Sequence, residues 1–180
     1  MKKLQDIPNL PEAFIAANKA YCYQPQLTEK LDKHAHDFSE ITLLEIVLWK
    51  TNRYPTITQD LLEDINELRN SYNEQKARNL LSKLLKLRGF DLPMASTVLR
   101  FALPDKLQII DQRVYRFIMP NEDYLKIPYN IELKIELYFT YLRELKKICS
   151  MYQIPFANAD RVIYQMDKTY NKSIPLKTSS

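Results

Sequence analysis

Glycine is nearly missing from this chain, since Gly89 is the only one among 180 residues. At the usual frequency of roughly 7%, a chain of this length would contain about a dozen. The phosphate loops of nucleotide-binding domains need several glycines close together, and tight β-hairpins depend on pairs such as Asn-Gly. The composition therefore predicts no nucleotide cofactor and argues against hairpins. Gly89 itself is expected where the backbone turns in a way that other residues do not tolerate.

Cysteine and histidine are also scarce. Two cysteines, Cys22 and Cys149, are too few for a zinc or iron–sulfur site built from thiolates alone. We expect them to be buried thiols in a reducing compartment rather than a disulfide. His34 and His36 are two positions apart on a predicted helix and point in different directions, which makes a poor metal site. No metal or other cofactor is therefore predicted.

Long apolar runs are absent as well. No stretch reaches the roughly 18 uncharged apolar residues of a membrane span, and the first residues, MKKLQD, lack the apolar run of a signal peptide. We therefore expect a cytoplasmic protein with no membrane partner. The length fits one domain over residues 1–180, with a loose tail at about 171–180.

What the sequence does contain is helical periodicity. Apolar residues recur three and four positions apart, and no segment alternates with the period of a strand, so the chain is predicted to be all-α. The helix that starts at Thr28 is expected to run through Phe38. Helix starts are expected at Pro11, Thr28, Ser39 or Thr42, Thr58, a capping box at 71–74, Pro93, Asp111, Asn130 and Asn158.

Positive charge is concentrated in one part of the chain. The net charge is only +4, but residues 74–116 hold nine basic side chains and four acids, so the rest of the chain carries −1. Such a segment in a nearly neutral protein favours a nucleic-acid phosphate backbone as partner. The alternative is an ordinary solvated helix face.

A short turn, LRGFDL at 87–92, joins two of the predicted helices. Pro93 suits the start of the second helix because its missing N–H costs nothing there. Free N–H groups and the positive end of the helix dipole at this start form an anion site, which suits a DNA phosphate without reading sequence. The predicted phosphate-binding residues are Lys86, Arg88, Gly89, Phe90, Asp91 and Pro93.

This turn and the segment after it resemble the helix-hairpin-helix DNA glycosylase superfamily. The likeness is carried by LRGFDLPMAS at 87–96 and IIDQRV at 109–114. The family pattern is similar: a hydrophobic residue between two hairpin glycines, a small-residue helix, then an aspartate after two apolar residues. The resemblance implies a two-lobed all-α fold around a hairpin core at about 71–119, with DNA as partner. It also implies that Asp111, at the mouth of a base-binding pocket, is catalytic.

The departures from the family pattern shape the expected chemistry. Asp91 replaces the second hairpin glycine, and the family's iron–sulfur cysteines are absent. Members with lyase activity carry a lysine about eighteen positions before the aspartate, where this chain has Pro93. The resemblance therefore implies a monofunctional N-glycosylase that uses water and forms no Schiff base.

A second, shorter likeness lies upstream. The segment LEIVLWKTNR at 44–53 is similar to the family helix that supplies a glutamine beside the pocket. Asn52 matches that amide, whereas Trp49 and Lys50 depart from the pattern. The residues expected to form the base pocket are Trp49, Lys50, Asn52, Arg53 and Tyr115.

The chemistry explains why these residue types matter. Breaking an N-glycosidic bond develops positive charge on the sugar, which a carboxylate stabilises while it orients the attacking water. The flipped base needs an aromatic or apolar pocket. Ordinary alternatives exist, because Asp111 also suits a helix cap and Trp49 a core position. The whole chain could also be a non-catalytic helix-hairpin-helix DNA-binding module or a helical protein-interaction domain.

Overall fold

The computed structural model of the protein describes residues 1–22, 25–50, 57–87, 89–120 and 124–176. Within these ranges the chain forms α-helices and two short 3-10 turns but no strand, which confirms the all-α prediction. The helices are α1 Leu10–Ala20, α2 Pro25–Asp32, α3 Glu40–Lys50, α4 Gln59–Asn70, α5 Glu74–Leu85, α6 Leu92–Ala102, α7 Gln112–Ile118, α8 Ile131–Met151 and α9 Ala159–Tyr170.

Several predicted helix starts are confirmed by side-chain caps. The Thr58 hydroxyl accepts a hydrogen bond from the Leu61 N–H at 3.3 Å, and the Asn130 side chain accepts one from the Leu133 N–H at 3.0 Å. Pro11 lies in the first turn of α1. These caps satisfy N–H groups that have no partner within the helix, so the local sequence is enough to place each start.

Three predicted boundaries are wrong. Helix α5 begins after Asn73 rather than at a capping box on Ser71, because the Asn73 side chain accepts from the N–H groups of Gln75 and Lys76. Helix α2 begins at Pro25 instead of Thr28, and it ends at Asp32 instead of Phe38. Asn66 of α4 exchanges two hydrogen bonds with the Phe38 backbone, at 2.5 and 3.2 Å. These contacts from another helix hold the chain out of a helical conformation.

The turn between α5 and α6 contains the one glycine. Gly89 has a φ of 85°, in the left-handed region that glycine adopts without a steric penalty. The phenyl ring of Phe90 is buried, and its N–H donates to the Leu87 carbonyl at 3.1 Å. The Asp91 carboxylate accepts from the Met94 N–H at 3.0 Å. The expectation of free N–H groups here is therefore wrong at Phe90 and Met94, because a carbonyl and a cap already occupy them.

Helix α6 is the centre of the molecule. Every residue from Met94 to Ala102 is buried, and α3, α4 and α5 pack against this helix. Elsewhere, α9 packs against both α1 and α7, and α8 packs against α5 and α7. The hairpin helix thus lies in the interior of the protein, and Pro93 is its one partly exposed residue.

The two ends of the chain are joined to each other. Lys2 and the Asn171 side chain exchange two hydrogen bonds of 3.0 Å. The Lys3 ammonium donates to the carbonyls of Arg116 and Met119, where α7 ends. Arg116 also donates to the carbonyls of residues 174 and 175, at 3.2 and 3.3 Å. The expectation of a loose tail is therefore wrong up to residue 175.

Only part of the positive charge of residues 74–116 lies at the surface. Arg100 and Arg116 are each 1% exposed, and they pair with Asp32 and Asp167 at 2.6 and 2.8 Å. Further ion pairs join Lys76 to Glu67, Arg78 to Glu74 and Glu136, Lys83 to Asp64, and Arg113 to Asp167. Most of these acids come from outside the segment. Folding therefore neutralises much of the positive charge that the sequence concentrates in this segment.

The cysteines also differ from expectation in one respect. Both are free thiols, but only Cys149 is buried, whereas Cys22 is exposed. Burial raises the pKa of Cys149 to about 12, so this thiol stays protonated and unreactive.

Candidate active site

A cleft of about 160 Å³ lies where the C-terminal ends of α1 and α3 meet the N-terminal ends of α7 and α9. It brings together Trp49, Lys50 and Asp111, which the sequence analysis had placed in one site. The residues that line it are Tyr21, Trp49, Lys50, Ile109, Asp111, Val114, Asp160, Arg161 and Tyr164. The cleft thus combines aromatic walls with two carboxylates and two basic groups.

Asp111 caps α7 and faces the cleft at the same time. Its Oδ1 accepts from the Arg113 N–H at 2.8 Å, and its Oδ2 lies 4.0 Å from the Lys50 Nζ. The side chains of Asp111 and Lys50 are 25% and 24% exposed. The hydrogen bond to Oδ1 therefore fixes the orientation of the carboxylate. Oδ2 faces the Lys50 amine and the solvent in the cleft.

The segment that carries Asp111 is held from three sides. The hydroxyls of Tyr138 and Tyr141, on α8, donate to the carbonyls of Gln108 and Ile109 at 2.9 and 2.7 Å. From α9, the Asp160 carboxylate accepts from the Ile109 N–H at 3.3 Å. These bonds satisfy backbone groups of a buried, non-helical segment, which would otherwise have no hydrogen-bond partners. They also fix the position of Asp111, which follows this segment.

The third contact links the site to the hairpin. The Ser96 hydroxyl accepts from the Ile110 N–H at 3.1 Å and donates to the Pro93 carbonyl at 2.8 Å. One side chain therefore joins the residue before Asp111 to the first turn of α6. The candidate catalytic acid and the start of the hairpin helix lie on the same side of the molecule.

Trp49 forms a rigid wall of the cleft. Its indole is 3% exposed and packs edge-on against Phe101, with 5.2 Å between ring centroids. The indole N–H donates to the Thr28 hydroxyl at 2.6 Å. Trp49 is thus a core residue that also borders the cleft.

The other described residues that were predicted to bind the base or a phosphate do not line the cleft, apart from Lys50 and Trp49. Tyr115 does not line the cleft; its ring is 5% exposed and stacks on Tyr141. Phe90 is buried, whereas Lys86 is exposed where α5 ends. Asn52, Arg53 and Arg88 lie outside the described residues.

Several residues that line the cleft were not predicted from the sequence. Tyr21 follows α1, and Asp160, Arg161 and Tyr164 lie on α9. The predicted cap at Asn158 placed the start of α9, but nothing local shows that this start faces Asp111, about fifty positions earlier. Only the packing of α9 against α1 and α7 brings these residues to the cleft.

Asp160 is a buried carboxyl at the edge of this cleft. Its side chain is 2% exposed, accepts from the Arg161 N–H at 2.7 Å and lies 3.7 Å from the Arg100 Nε. Burial raises the pKa of Asp160 from 3.8 to about 6, a shift that Asp32 adds to and that Arg100, the Ile109 N–H and Lys50 oppose. This group therefore titrates within the physiological range.

We expect this carboxyl to make the protein's stability depend on pH. The folded state binds the Asp160 proton more tightly than the unfolded chain does, so its contribution to the free energy of unfolding falls as pH rises from 3.8 through 6. Between about pH 5 and pH 7, the stability of wild type relative to Asp160→Asn should fall by about 1 kcal/mol.

Urea denaturation of both proteins across this range measures the effect. The exposed Asp60, in the first turn of α4, gives the matched control, since wild type relative to Asp60→Asn should show little change. If the stability of wild type relative to Asp160→Asn rose with pH instead, the effect of Arg100 on the Asp160 pKa would outweigh that of burial. The raised pKa of Asp160 would then be contradicted.

Other classes of site find no support in the part of the chain that the structure describes. No group of three or more His, Cys, Asp or Glu side chains is placed to hold a metal ion there. No described helix has the length and apolar character needed to cross a membrane. Comparisons of the chain with protein-family models, curated proteins and solved structures found no match.

Proposed function

We propose that this protein is a DNA N-glycosylase that releases a flipped base by water attack. The observation that carries the proposal is the Asp111 carboxylate, which faces an aromatic-walled cleft. The residue before it, Ile110, is hydrogen-bonded through Ser96 to the start of the hairpin helix. A carboxylate beside the sugar and a nearby element that holds DNA are the two parts that this reaction needs.

The chemistry assigns one role to each part of the cleft. As the bond between C1′ and the base breaks, Asp111 stabilises the positive charge on the sugar and orients the water that attacks C1′. Trp49, Tyr21 and Tyr164 provide aromatic surfaces for the extruded base. Cavities of about 150 Å³ hold a benzene molecule, so a cleft of about 160 Å³ matches a single base ring.

A two-lobed arrangement fits the packing. We assign α1, α7 and α9 to one lobe and α4, α5 and α6 to the other, since the helices of each group pack together. The cleft then lies at the boundary, because Asp111 and Asp160 come from the first group while α3, which carries Trp49 and Lys50, packs on α6 of the second.

The affinity for DNA is expected to be modest. Arg100 and Arg116 are buried, and the Met94 N–H is already capped, so few groups among the described residues of the hairpin remain for phosphate. Lys86 and the backbone of the turn are the described candidates. Affinity should therefore fall only slightly with salt, in proportion to the few phosphates that are neutralised.

Single-turnover base release tests the proposal. Wild-type protein in excess is incubated with duplex and single-stranded oligonucleotides that each carry one damaged or mismatched base, and alkali then cleaves any abasic strand. We expect release from at least one substrate. DNA binding without release from any substrate would leave only a DNA-binding module. Absence of binding even at low salt would favour a protein-interaction domain.

A further inference from the structure

A basic groove lies along the C-terminal half of α8, apart from the residues of the cleft and of the hairpin turn. It consists of two adjoining depressions and is termed the α8 groove below. Its basic side chains are Lys106, which follows α6, and Arg143, Lys146 and Lys147 on α8. All four are exposed. Among the described residues that line the groove, Asp105 is the one acid.

Three of these basic groups are not neutralised by a carboxylate. Lys147 pairs with Glu144 at 2.6 Å. In the described part of the chain, no carboxylate lies within 4.0 Å of the charged groups of Lys106, Arg143 or Lys146. Most other basic residues of the segment 74–116 are paired in the folded protein. The α8 groove therefore keeps positive charge that folding neutralises elsewhere.

Two of the unpaired amines come from different elements and lie near each other. Burial lowers the pKa of Lys146, the charge of Lys106 lowers it further, and Glu74 opposes the shift. A solvated face of α8 would account for the basic residues of that helix, but not for a further lysine directed at them from the end of α6. An anion that contacts both amines would remove their repulsion.

Apolar side chains lie next to these cations. Met151 is 72% exposed and lines the groove beside Arg143. The Lys146 Nζ lies 5.5 Å from the centroid of the Phe156 ring, which also lines the groove. Sites for single nucleic-acid strands combine basic groups for the backbone with aromatic or apolar surfaces for the bases. The α8 groove has both components.

Phe156 also relates the α8 groove to the cleft. It begins the 3-10 turn Phe156–Asn158, and Asp160 and Arg161, which line the cleft, follow within five positions. Four residues span at most about 14 Å, so the groove and the cleft flank the same short segment. Roughly four nucleotides of a strand cover that distance.

We infer that Lys106, Arg143 and Lys146 bind phosphates of the DNA strand that enters the cleft. This inference rests on the proposed function, because it takes DNA to be the molecule that the cleft receives. It gives the strand a second contact, away from the hairpin turn. About three such contacts still produce a weaker salt dependence than the roughly six to ten phosphate contacts of strongly salt-dependent proteins.

Fluorescence anisotropy with undamaged DNA tests this contact without requiring base release. The probe is a labelled thymine oligonucleotide of about 20 nucleotides, long enough to cover both sites. Each phosphate contact on a single strand contributes about 0.7 to the slope of log K against log salt. The double variant Lys106→Gln/Lys146→Gln should therefore bind about 10–30-fold more weakly at about 0.1 M salt, with a slope smaller by about 1.4. Arg143→Gln alone should weaken binding about fivefold.

The matched control is the double variant Lys30→Gln/Lys33→Gln, which removes the same charge. These lysines are 62% and 74% exposed, pair with Glu45 and Glu29, and line neither the groove nor the cleft. The control should bind DNA within about twofold of wild type. Urea denaturation of each variant verifies that the fold is retained.

The outcomes separate this inference from the proposed function. Unchanged binding by the folded groove variants, or equal weakening by the control, overturns the inference and leaves the glycosylase standing. Weaker binding by the groove variants alone, without base release from any substrate by wild type, supports the groove and contradicts the glycosylase. Poly-glutamate is the second probe. If wild type binds it but not DNA, and the groove variants lose that binding, the groove accepts an acidic protein segment and the inference is overturned.

Discussion

Asp167→Ala is expected to lower the free energy of unfolding by about 3–5 kcal/mol, as seen when one partner of a buried ion pair is removed. The Asp167 carboxylate is fully buried and accepts two hydrogen bonds from Arg116, each 2.8 Å long. It also accepts from Arg113 at 3.1 Å and from Asn171 at 2.9 Å. The alanine variant would leave the Arg116 guanidinium buried without its counter-charge.

Urea denaturation of wild type and Asp167→Ala measures this loss. Glu144 supplies the control, because it pairs with Lys147, which is 68% exposed. Glu144→Ala should change the free energy of unfolding by less than about 1 kcal/mol. A similarly small effect for Asp167→Ala would show that Arg116 is not held by this pair, and the account of how α7, α9 and the chain ends are joined would fail.

Asp111→Asn is expected to slow base release by about 10²–10³-fold, the usual loss when a preorganised electrostatic group is removed from an active site. The amide carries no charge and stabilises the developing positive sugar far less. Asparagine caps helices as well as aspartate does, so the bond from the Arg113 N–H can persist. The rate should therefore fall while the fold and the free energy of unfolding change little.

Single-turnover kinetics with the best substrate of the wild-type protein measure this effect. Asp60→Asn makes the same chemical change at an exposed position in the first turn of α4, outside the cleft, and should release base at the wild-type rate. Equal rates for wild type and Asp111→Asn would assign any base release to another group. In that case Asp111 would be a helix cap alone.

The sequence predicted the helices best where a single side chain decides a helix end. Thr58 and Asn130 cap the helices that they were expected to cap, and Gly89 adopts a positive φ. The sequence did not predict the end of α2, because the Asn66 side chain of α4 binds the Phe38 backbone groups that a longer helix would use. A cap acts within one turn of the chain, whereas this competition depends on a helix that begins about twenty positions later.

The candidate site was predicted in part. Asp111 was predicted from the spacing of a motif that resembles the family pattern. Trp49 and Lys50 were predicted because they lie in an upstream segment with a weaker likeness, although both depart from its pattern. The two carboxylates of the cleft, by contrast, were not expected to share it, because Asp160 is separated from Asp111 by 49 positions and no periodicity connects them. Tyr115 was expected in the pocket but does not line the cleft, because one face of a short helix cannot be told from another without its neighbours.

By itself, the sequence determined the helical class, most helix starts, the sharp turn at Gly89 and an aspartate at the start of α7. Each of these depends on interactions within a few residues. Only the tertiary structure decided that Arg100 and Arg116 are internal and that Lys50 faces Asp111 across a cleft. The physical reason is that the exposure and pairing of a charge are set by side chains brought together from distant helices, and local sequence does not encode which helices meet.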